Sequence, residues 1–567
     1  VLVGSPVSAQ GVSGPVASVE RQVWDELAAE GSTSVWVYLR ESADLTGARL
    51  VSGWSARGEF VYEALRSTAE RSQAGLREFL DSRRVSYESF WIANVIRVDG
   101  ADAGLVEAIA ARPDVSQVVA TKVYPLVEPQ PAEELPGVAA VEWNIDRVNA
   151  PQVWDEFGVT GEGIVVGAID TGAQFDHPAL VNQYRGNLGN GVFDHNYNWW
   201  DPSNVCGNPS LVPCDNNGHG THVTGTMVGD DGGGNQIGVA PGAKWMMAKG
   251  CEDRFCSDTA LLSSGQFILA PTDLQGENPD PELRPHVVNN SWGGDADTDP
   301  WYRATVQAWV AAGIFPQFAS GNPGPACGQA SNPGNLPESY SAGGFDINGN
   351  VYVDSGRGPS AWDSDLIKPN ISAPAVAVRS SVPGGYAAFT GTSMASPHVA
   401  GTVALMWSAA PALERDIEAT RALLDATAID TEDLTCGGTA ENNNVWGQGK
   451  LDAFAAVDQS PRGDSGQLAG TVTDAVSGDP IGGATVSMTG PVDRQRTTDP
   501  DGGYQITLPV GEYQVTASAF GYTDSTAQAE ILAGQTTVQD FALQPVDSVT
   551  ISGTVTDGSG HGWPLYA

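Results

Sequence analysis

The alternation of apolar and polar positions divides the chain into three regions. In the first region it predicts three strands and two amphipathic helices, in the order strand, helix, strand, helix, strand. These elements span residues 33–39, 59–82, 87–98, 104–112 and 116–127. This order of elements indicates a small α+β domain.

Continuous apolar runs mark the second region. Residues 163–169 read GIVVGAI, which is typical of a central parallel strand that is buried on both faces. Asp170 follows this run directly, so we expect its carboxylate at the carboxyl edge of a parallel sheet, where ligands bind. The third region, from residue 467, has short alternating segments separated by Gly, Asp and Pro, and this pattern predicts a β-sandwich.

Three short motifs of the second region carry residues that are suited to acyl transfer. Ser393 lies in GTSMASPHVAG (residues 391–401), at the start of an apolar helix whose unpaired N–H groups would stabilise an oxyanion. A serine hydroxyl needs a base, and His219 in GHGTHV (residues 218–223) would take its proton. Asp170 would fix the tautomer of that imidazole and stabilise its charged form.

These motifs, in the chain order Asp, His, Ser, resemble the signatures of the subtilases, the subtilisin-like serine proteases. The resemblance extends over residues 145–457, and three stretches within it, which begin at Tyr197, Leu269 and Val288, resemble one branch of the family. It implies a doubly wound α/β domain with a parallel sheet, and peptide-bond hydrolysis through an acyl-enzyme on Ser393. The resemblance implies no cofactor for the chemistry and leaves structural calcium open.

Two further segments match the substrate cleft of the family. Asn322 lies in ASGNPG after an apolar run, and the resemblance makes its side-chain amide the second oxyanion donor. Ser291, Trp292 and Gly293 correspond to the segment that pairs with an extended peptide substrate. Because backbone pairing is indifferent to side chains, we expect broad specificity for protein and peptide substrates.

Some of these residues also fit other classes of protein. The Asp-Thr-Gly that begins at Asp170 is a signature of aspartic proteases, with Asp354 in VDSG as its partner, but that interpretation leaves the motifs of His219 and Ser393 unexplained. The GDSG at residues 463–466 resembles a chymotrypsin-type nucleophile motif. It lies in a polar segment, so a flexible loop is the better interpretation.

Metal binding is a further interpretation. His219 and His222 are three residues apart, as zinc ligands can be, but no third ligand accompanies them, and we expect His222 to have a packing role. Four carboxylates between Asp170 and His219 lack the spacing of a calcium loop, so we expect solvated surface groups there. They are Asp176, Asp194, Asp201 and Asp215.

The order of the three regions resembles that of a subtilase zymogen. The first region then corresponds to a ferredoxin-like propeptide that inhibits its own catalytic domain, and the third resembles carboxypeptidase regulatory-like domains. The segment after residue 127 is rich in proline and charge, so we expect processing between Glu128 and Glu142. The expected parts are a signal-peptide remnant (1–9), the propeptide (10–128), a processing linker (129–144), the catalytic domain (145–457), a linker (458–466), the sandwich (467–545) and a truncated second sandwich repeat (546–567).

The net charge indicates which binding partners are disfavoured, and the cysteine content indicates the compartment of the protein. The formal net charge is −40, and only five of the 28 basic residues are lysine, which disfavours nucleic acid and anionic membranes as partners. No apolar stretch reaches the length of a membrane span. The six cysteines all lie in the catalytic region, and their even number suggests disulfides in a secreted chain. Among the fifteen pairings that six cysteines allow, sequence proximity favours Cys206–Cys214 and Cys251–Cys256, which leaves Cys327 and Cys436 to join distant loops.

We therefore interpret the chain as a secreted, monomeric serine endopeptidase made as a self-processing zymogen. The alternative is a catalytically silent subtilase scaffold used for extracellular binding. Silent copies usually lose a catalytic side chain, whereas Asp170, His219, Asn322 and Ser393 are all present. The complete set favours the enzyme.

Overall fold

The structure is a computed structural model that describes residues 17–126, 130–132 and 141–546. These residues form two compact units. The first unit extends to Pro461 but leaves out Asp155–Gly158. The second unit consists of Asp155–Gly158 and the residues from Arg462 onward. The expected signal-peptide remnant and almost all of the expected second sandwich repeat lie outside the described residues.

The N-terminal domain, residues 17–120, has the expected α+β fold. Its strands are β1 (Ser18–Val19), β2 (Thr33–Leu39), β3 (Tyr87–Phe90), β4 (Val95–Ala101) and β5 (Val115–Ala120), and its helices are α1 (Arg21–Glu30), α2 (Trp54–Arg83) and α3 (Ala103–Ala110). The sheet order is β1-β5-β2-β4-β3. The four strands β2 to β5 pair antiparallel in the order of a split βαβ, ferredoxin-like sheet, and β1 adds to its edge in parallel.

Two segments that were each predicted as one strand contain two shorter strands in the structure. The prediction for residues 87–98 covers a hairpin, since the chain turns between β3 and β4 and Asn94 takes a left-handed conformation there (φ 51°). The prediction for residues 116–127 covers β5 and a separate strand that pairs elsewhere. Helix α1 was not predicted, because only Val23 and Leu27 of its ten residues are buried.

The rest of the first unit contains the subtilase-like domain. Its strands, with those of the segment that leads into it, are β6 (Val123–Pro125), β7 (Gln130–Ala132), β8 (Val165–Asp170), β9 (Asn187–Gly189), β10 (Val192–Phe193), β11 (Trp199–Trp200), β12 (Lys244–Lys249), β13 (Phe255–Ser257), β14 (Val287–Asn290), β15 (Phe315–Ala319), β16 (Tyr340–Phe345), β17 (Ile371–Pro374), β18 (Val378–Val382) and β19 (Gly385–Thr390). Its helices are α4 (Trp143–Arg147), α5 (Ala150–Phe157), α6 (His219–Val228), α7 (Asp258–Leu269), α8 (Arg303–Ala312), α9 (Thr392–Ala409), α10 (Ile417–Thr427) and α11 (Ala453–Asp458).

A seven-stranded parallel sheet in the order β11-β12-β8-β14-β15-β16-β17 forms the centre of this domain. This confirms the predicted doubly wound α/β class. Strand β8 lies between β12 and β14, so the order of the strands reverses beside it, and ligands bind at such a point in open α/β sheets. All eighteen residues of α9 are buried, which explains why the helix contains no charged Asp, Glu, Lys or Arg.

The segment between the two domains contributes strands to the larger one. Strand β6 pairs antiparallel with β13, and β7 pairs antiparallel with β19, the strand that precedes α9. We call residues 121–126, which follow β5 and include β6, the tail. The tail therefore extends from the N-terminal domain along the surface of the larger domain.

The second unit is the predicted β-sandwich. Its strands are β20 (Ser465–Asp474), β21 (Thr485–Thr489), β22 (Arg494–Thr497), β23 (Gly503–Pro509), β24 (Gly511–Ser518), β25 (Tyr522–Thr523), β26 (Ser525–Ile531), β27 (Thr536–Val538) and β28 (Phe541–Pro545). They form the sheets β23-β20-β28-β25, in which β27 also pairs with β20, and β22-β21-β24-β26. A single cluster of buried apolar side chains, with Tyr513 and Leu508 among its members, fills the unit.

Three disulfides link the six cysteines: the two pairs that sequence proximity favours, Cys206–Cys214 and Cys251–Cys256, and the pair that remains, Cys327–Cys436. Among the helices of the described ranges, none has both the length and the apolar character needed to cross a bilayer.

Candidate active site

Asp170 and His219 form a buried pair. Asp170 ends strand β8, and His219 begins helix α6 directly after Gly218, whose φ of 100° favours glycine. The distance from His219 Nδ1 to Asp170 Oδ1 is 2.7 Å. Burial lowers the pKa of His219, but the charge of Asp170 and its hydrogen bond outweigh burial, so the pKa is raised above its ordinary value. Nε2 of His219 has no hydrogen-bond partner among the described residues, which leaves it open to accept a proton.

Asp215 fixes this pair in place. Its Oδ1 accepts hydrogen bonds from Thr171 Oγ1 at 2.9 Å and from the backbone N–H of Gly218 at 2.8 Å. Its Oδ2 accepts from the N–H and the hydroxyl of Thr221, at 2.9 and 2.6 Å. One carboxylate thus connects the residue after Asp170 to both sides of His219.

The expectation of solvated surface carboxylates is therefore wrong for Asp215, and also for Asp201. Asp201 is only 4% exposed, and its Oδ2 accepts the N–H of Cys206 at 2.8 Å. Asp176 and Asp194 are exposed, as expected. Within the ranges that the structure describes, no three His, Cys, Asp or Glu side chains are grouped to hold a metal ion.

Ser393 is the second residue of α9, and α6 packs against that helix. Its Oγ donates to the carbonyl of Ser291 at 3.1 Å, and the hydroxyl of Ser291 donates to the carbonyl of Ser393 at 2.9 Å. This reciprocal pair ties the segment predicted to bind substrate to the predicted nucleophile. The N-cap residue of α9 is Gly391, which has no side chain, so the partial positive charge at this end of the helix is directed toward Ser393.

Asn322 lies beside the start of α9. Its Oδ1 accepts hydrogen bonds from the backbone N–H of Thr392 at 2.8 Å and from the hydroxyl of Thr392 at 2.9 Å. These bonds fix the orientation of the carboxamide, and its Nδ2 donates to none of the described residues. Asn322 and Ser393 line one cavity of about 620 Å³, together with residues 291–294. The side-chain N–H groups of Asn322 are thus available to an oxyanion that forms when Ser393 attacks a carbonyl group in the cavity.

The tail forms one wall of this cavity. The ring of Tyr124 stacks on Trp301, with centroids 5.0 Å apart and planes 15° apart, and it lies against Gly294. A Cβ on Gly294 would be 2.9 Å from Cδ1 of Tyr124, so this approach needs glycine. The N–H of Leu126 donates to the carbonyl of Arg254 at 2.9 Å, which extends the pairing of β6 with β13. The tail is held in the extended conformation of a bound peptide.

The side chain of Trp292 contributes to the core. It is 5% exposed and packs edge-on against Tyr302 and Phe318. Of the predicted substrate-binding residues Ser291, Trp292 and Gly293, all three line the cavity. The side chain of Trp292 packs in the core beneath the backbone of residues 291–293.

The alternative chemistries are not favoured by the geometry. His222 stacks on Phe389 and contacts the carbonyl of Val378 at 3.0 Å, and burial lowers its pKa to about 3, so it has the expected packing role. Asp354 accepts a hydrogen bond from Tyr352 at 3.2 Å and makes no hydrogen bond with Asp170, so the two do not form an aspartic-protease dyad.

Comparisons with known proteins agree with this arrangement. The model of the subtilase family matches residues 161–451, and that of the carboxypeptidase regulatory-like domain matches residues 467–544. Bacillopeptidase F of Bacillus subtilis (strain 168) is 40% identical over 419 residues, which are 70% of this chain but only 28% of that protein. An intracellular serine protease of Paenibacillus polymyxa is 32% identical over 278 residues, 48% of this chain and 75% of that protein.

A solved structure shares the fold. Fervidolysin from Fervidobacterium pennivorans, described as a keratinolytic enzyme related to subtilisin, aligns with a TM-score of 0.55 and 17% identity over 93% of this chain and 80% of that one. The family branch that three stretches of the sequence resemble is that of bacillopeptidase F, and the 40% identity confirms the resemblance. The model of the subtilase family matches just over half of the residues of this chain, and the chain therefore belongs to the subtilase family.

Proposed function

We propose that the chain is a serine endopeptidase that hydrolyses peptide bonds through an acyl-enzyme on Ser393. The observation that carries this proposal is the 2.7 Å bond between Asp170 and His219, with Nε2 of the imidazole left without a partner. A histidine that is oriented by a carboxylate and open at its other nitrogen is a general base.

The mechanism follows from the residues around Ser393. Its hydroxyl exchanges the carbonyl of Ser291 for Nε2 of His219, loses its proton to that nitrogen and attacks the carbonyl carbon of the substrate. The oxyanion accepts hydrogen bonds from Nδ2 of Asn322 and from the backbone N–H of Ser393, since the N–H of Thr392 is already bonded to Asn322. His219 then gives the proton to the leaving amine, and a water molecule, activated by the same imidazole, hydrolyses the ester.

We further infer that the N-terminal domain is an inhibitory propeptide that the enzyme removes itself. Support comes from the tail, which pairs with β13 and lines the cavity of Ser393. Strand β7 then pairs with β19, two residues before Thr392 and α9. Since the described tail ends at Leu126 and β7 begins at Gln130, and both pair with the larger domain, we propose that the cut bond lies between these two residues. This interval begins two residues before the region expected from the sequence, Glu128 to Glu142, and overlaps its N-terminal end.

The setting that we propose is extracellular, with protein and peptide substrates and a monomeric chain. Three disulfides support an oxidising compartment, and the net charge of −40 supports solubility as a monomer. The sandwich is proposed as a spacer, because no aromatic pocket or metal cluster is legible in its sequence. Structural calcium remains a proposal, and no metal takes part in the mechanism above.

The test compares the purified chain with its Ser393→Ala variant. We expect cleavage between Leu126 and Gln130, which mass spectrometry detects, and casein hydrolysis that a serine-directed fluorophosphonate stops. The self-cleavage and the casein hydrolysis should both vanish in Ser393→Ala. The control is Ser396→Ala, which should keep both activities. Ser396 is a buried serine one turn further along α9, and its hydroxyl donates to Asn289. A folded wild type that stays inert after removal of its N-terminal domain would support the silent scaffold instead.

A further inference from the structure

We propose that the cleft extends beyond the site of Tyr124 to a subsite in which Asp299 binds a basic side chain while Asp258 holds the backbone of the same residue. The proposal rests on the proposed function, because it assigns a preference to the substrates of that same cleft. It predicts that lysine or arginine is favoured two residues before the substrate residue that stacks on Trp301.

Lys122 of the tail occupies this position in the structure. Its Nζ lies 2.5 Å from Oδ2 of Asp299. Its backbone is held from both sides by Asp258, whose carboxylate accepts the N–H of Lys122 at 2.6 Å and whose own N–H donates to the carbonyl of Lys122 at 3.1 Å. The pairing of the tail with β13 thus continues to Lys122, and any extended peptide can form the same backbone bonds.

The larger domain holds Asp299 ready for a cation. The N–H of Trp301 donates to Oδ1 of Asp299 at 3.1 Å, so Oδ2 is left to face the tail. Asn332 donates to the carbonyl of Asp299 and to Oδ1 of Asp297, each at 2.8 Å, which fixes the loop. Trp301 also carries the stacked ring of Tyr124, so the aromatic site and the acidic site share one rigid support.

The charges around Lys122 favour a cation. Burial lowers the pKa of Lys122, but its hydrogen bond and charge interaction with Asp299 outweigh burial and raise the pKa, with smaller contributions from Glu20 and Asp297. Glu20 belongs to the N-terminal domain and would leave with it. A substrate would then meet Asp299 and Asp297, which repel an acidic side chain and attract a basic one.

The experiment uses the full chain after it has processed itself, and three internally quenched peptides. They carry residues 121–132 with Lys, Ala or Glu at the position of Lys122, and mass spectrometry identifies the cut bond. A partly exposed ion pair predicts a kcat/KM about two- to fivefold higher for the Lys peptide than for the Ala peptide, with the Glu peptide lowest. The Lys preference should shrink in high salt.

Two variants separate a specific pair from general attraction. In Asp299→Asn the ratio of Lys to Ala should fall to about one, while the Ala peptide is cut at the wild-type rate. Asp295→Asn removes the same charge from an exposed position of the same loop and should keep the ratio. If wild type cuts the Lys and Ala peptides equally well, or if both variants lose the preference equally, the subsite is overturned and the proposed function stands. If no peptide is cut, the proposed function falls, and the subsite falls with it.

Discussion

The two ends of the Asn322 carboxamide have different tasks. Its oxygen is committed to Thr392 through two hydrogen bonds, and this leaves the nitrogen for the proposed oxyanion. For Asn322→Ala we expect kcat to fall about 10²- to 10³-fold with little change in KM, a magnitude that is established for subtilisin and carried over to this chain. Steady-state kinetics on a peptide substrate measures both constants.

The control is Thr392→Val, which keeps the backbone bond to Asn322 and removes only the hydroxyl bond. We expect a loss of less than about tenfold, because the amide keeps its orientation. Equal losses in the two variants would assign Asn322 to the support of α9 and not to the oxyanion.

The pair of His219 and Asp170 predicts how activity depends on pH. His219 must be neutral to act as a base, and its pKa is raised, so kcat/KM should be lost as pH falls through a value above that of an ordinary histidine. Asp170→Asn removes the charge that raises the pKa. The acid limb should therefore move to lower pH, and kcat should drop on the order of 10⁴-fold.

Profiles of kcat/KM against pH for wild type and Asp170→Asn measure both effects. Asp176→Asn changes an exposed carboxylate in the loop after Asp170 and should leave the profile unchanged. An acid limb that stays in place in Asp170→Asn would show that another group controls it.

Candidate site residues that lie in local motifs could be predicted from the sequence, whereas a residue whose role depends on tertiary hydrogen bonds could not. Asp170, His219 and Ser393 each lie in a short signature at the start or end of one element. Asp215 lies four residues before His219, but its role depends on Thr171, which is 44 residues away in the chain. No pattern in the sequence separates it from the exposed Asp194.

At the scale of elements, the contact of α2 with the larger domain explains why this helix begins at Trp54, five residues before the predicted start. The N–H of the Trp54 indole donates to the carbonyl of Glu282 at 2.9 Å, and Arg284 stacks on its ring. Arg57 donates to the carbonyls of Val310 and Ala311 at the end of α8. Tertiary contacts of this kind stabilise a first turn that has no side-chain cap of its own.

Gly58 makes this contact possible, and this leads to a prediction. A Cβ on Gly58 would overlap the guanidinium of Arg284, which is 1% exposed and held by Pro281, Ala312 and Trp54. Although alanine raises helix propensity by about 1 kcal/mol, Gly58→Ala should loosen α2 from the larger domain. In a Ser393→Ala background, amide hydrogen exchange in the first turns of α2 and the last turn of α8 should become faster.

Gly75 supplies the matched control on the same helix. A Cβ there would be 3.0 Å from the end of the Arg112 side chain, which is less buried and can shift. Gly75→Ala should leave exchange at those positions unchanged or slower. Faster exchange in both variants would mean that the effect comes from the helix and not from its contact with Arg284.

The strand predictions failed for a similar reason. Periodicity gives the alternation of side chains along residues 116–127, but it does not give the partner of each strand. β5 pairs with β2 of the N-terminal domain, whereas β6 pairs with β13 of the larger domain. The alternation continues across a change of partner that only the tertiary structure reveals.

At the scale of the whole molecule, the division between the two units falls in a polar segment. The polar segment predicted as a linker, residues 458–466, contains the division between Pro461 and Arg462. The sandwich has its own cluster of buried side chains, and all proposed catalytic residues lie before the division. A unit with a separate core folds independently as a rule.

A chain that ends at Pro461 should therefore keep kcat/KM for a short peptide within about twofold of the full chain. Its thermal unfolding should lose one transition, that of the sandwich, and keep the other. The same truncation in Ser393→Ala supplies the inactive control. A loss of more than about tenfold on the short peptide would mean that the second unit contributes to the site. A loss confined to large protein substrates would give the sandwich a role in substrate approach, because a short peptide reports only on the cleft.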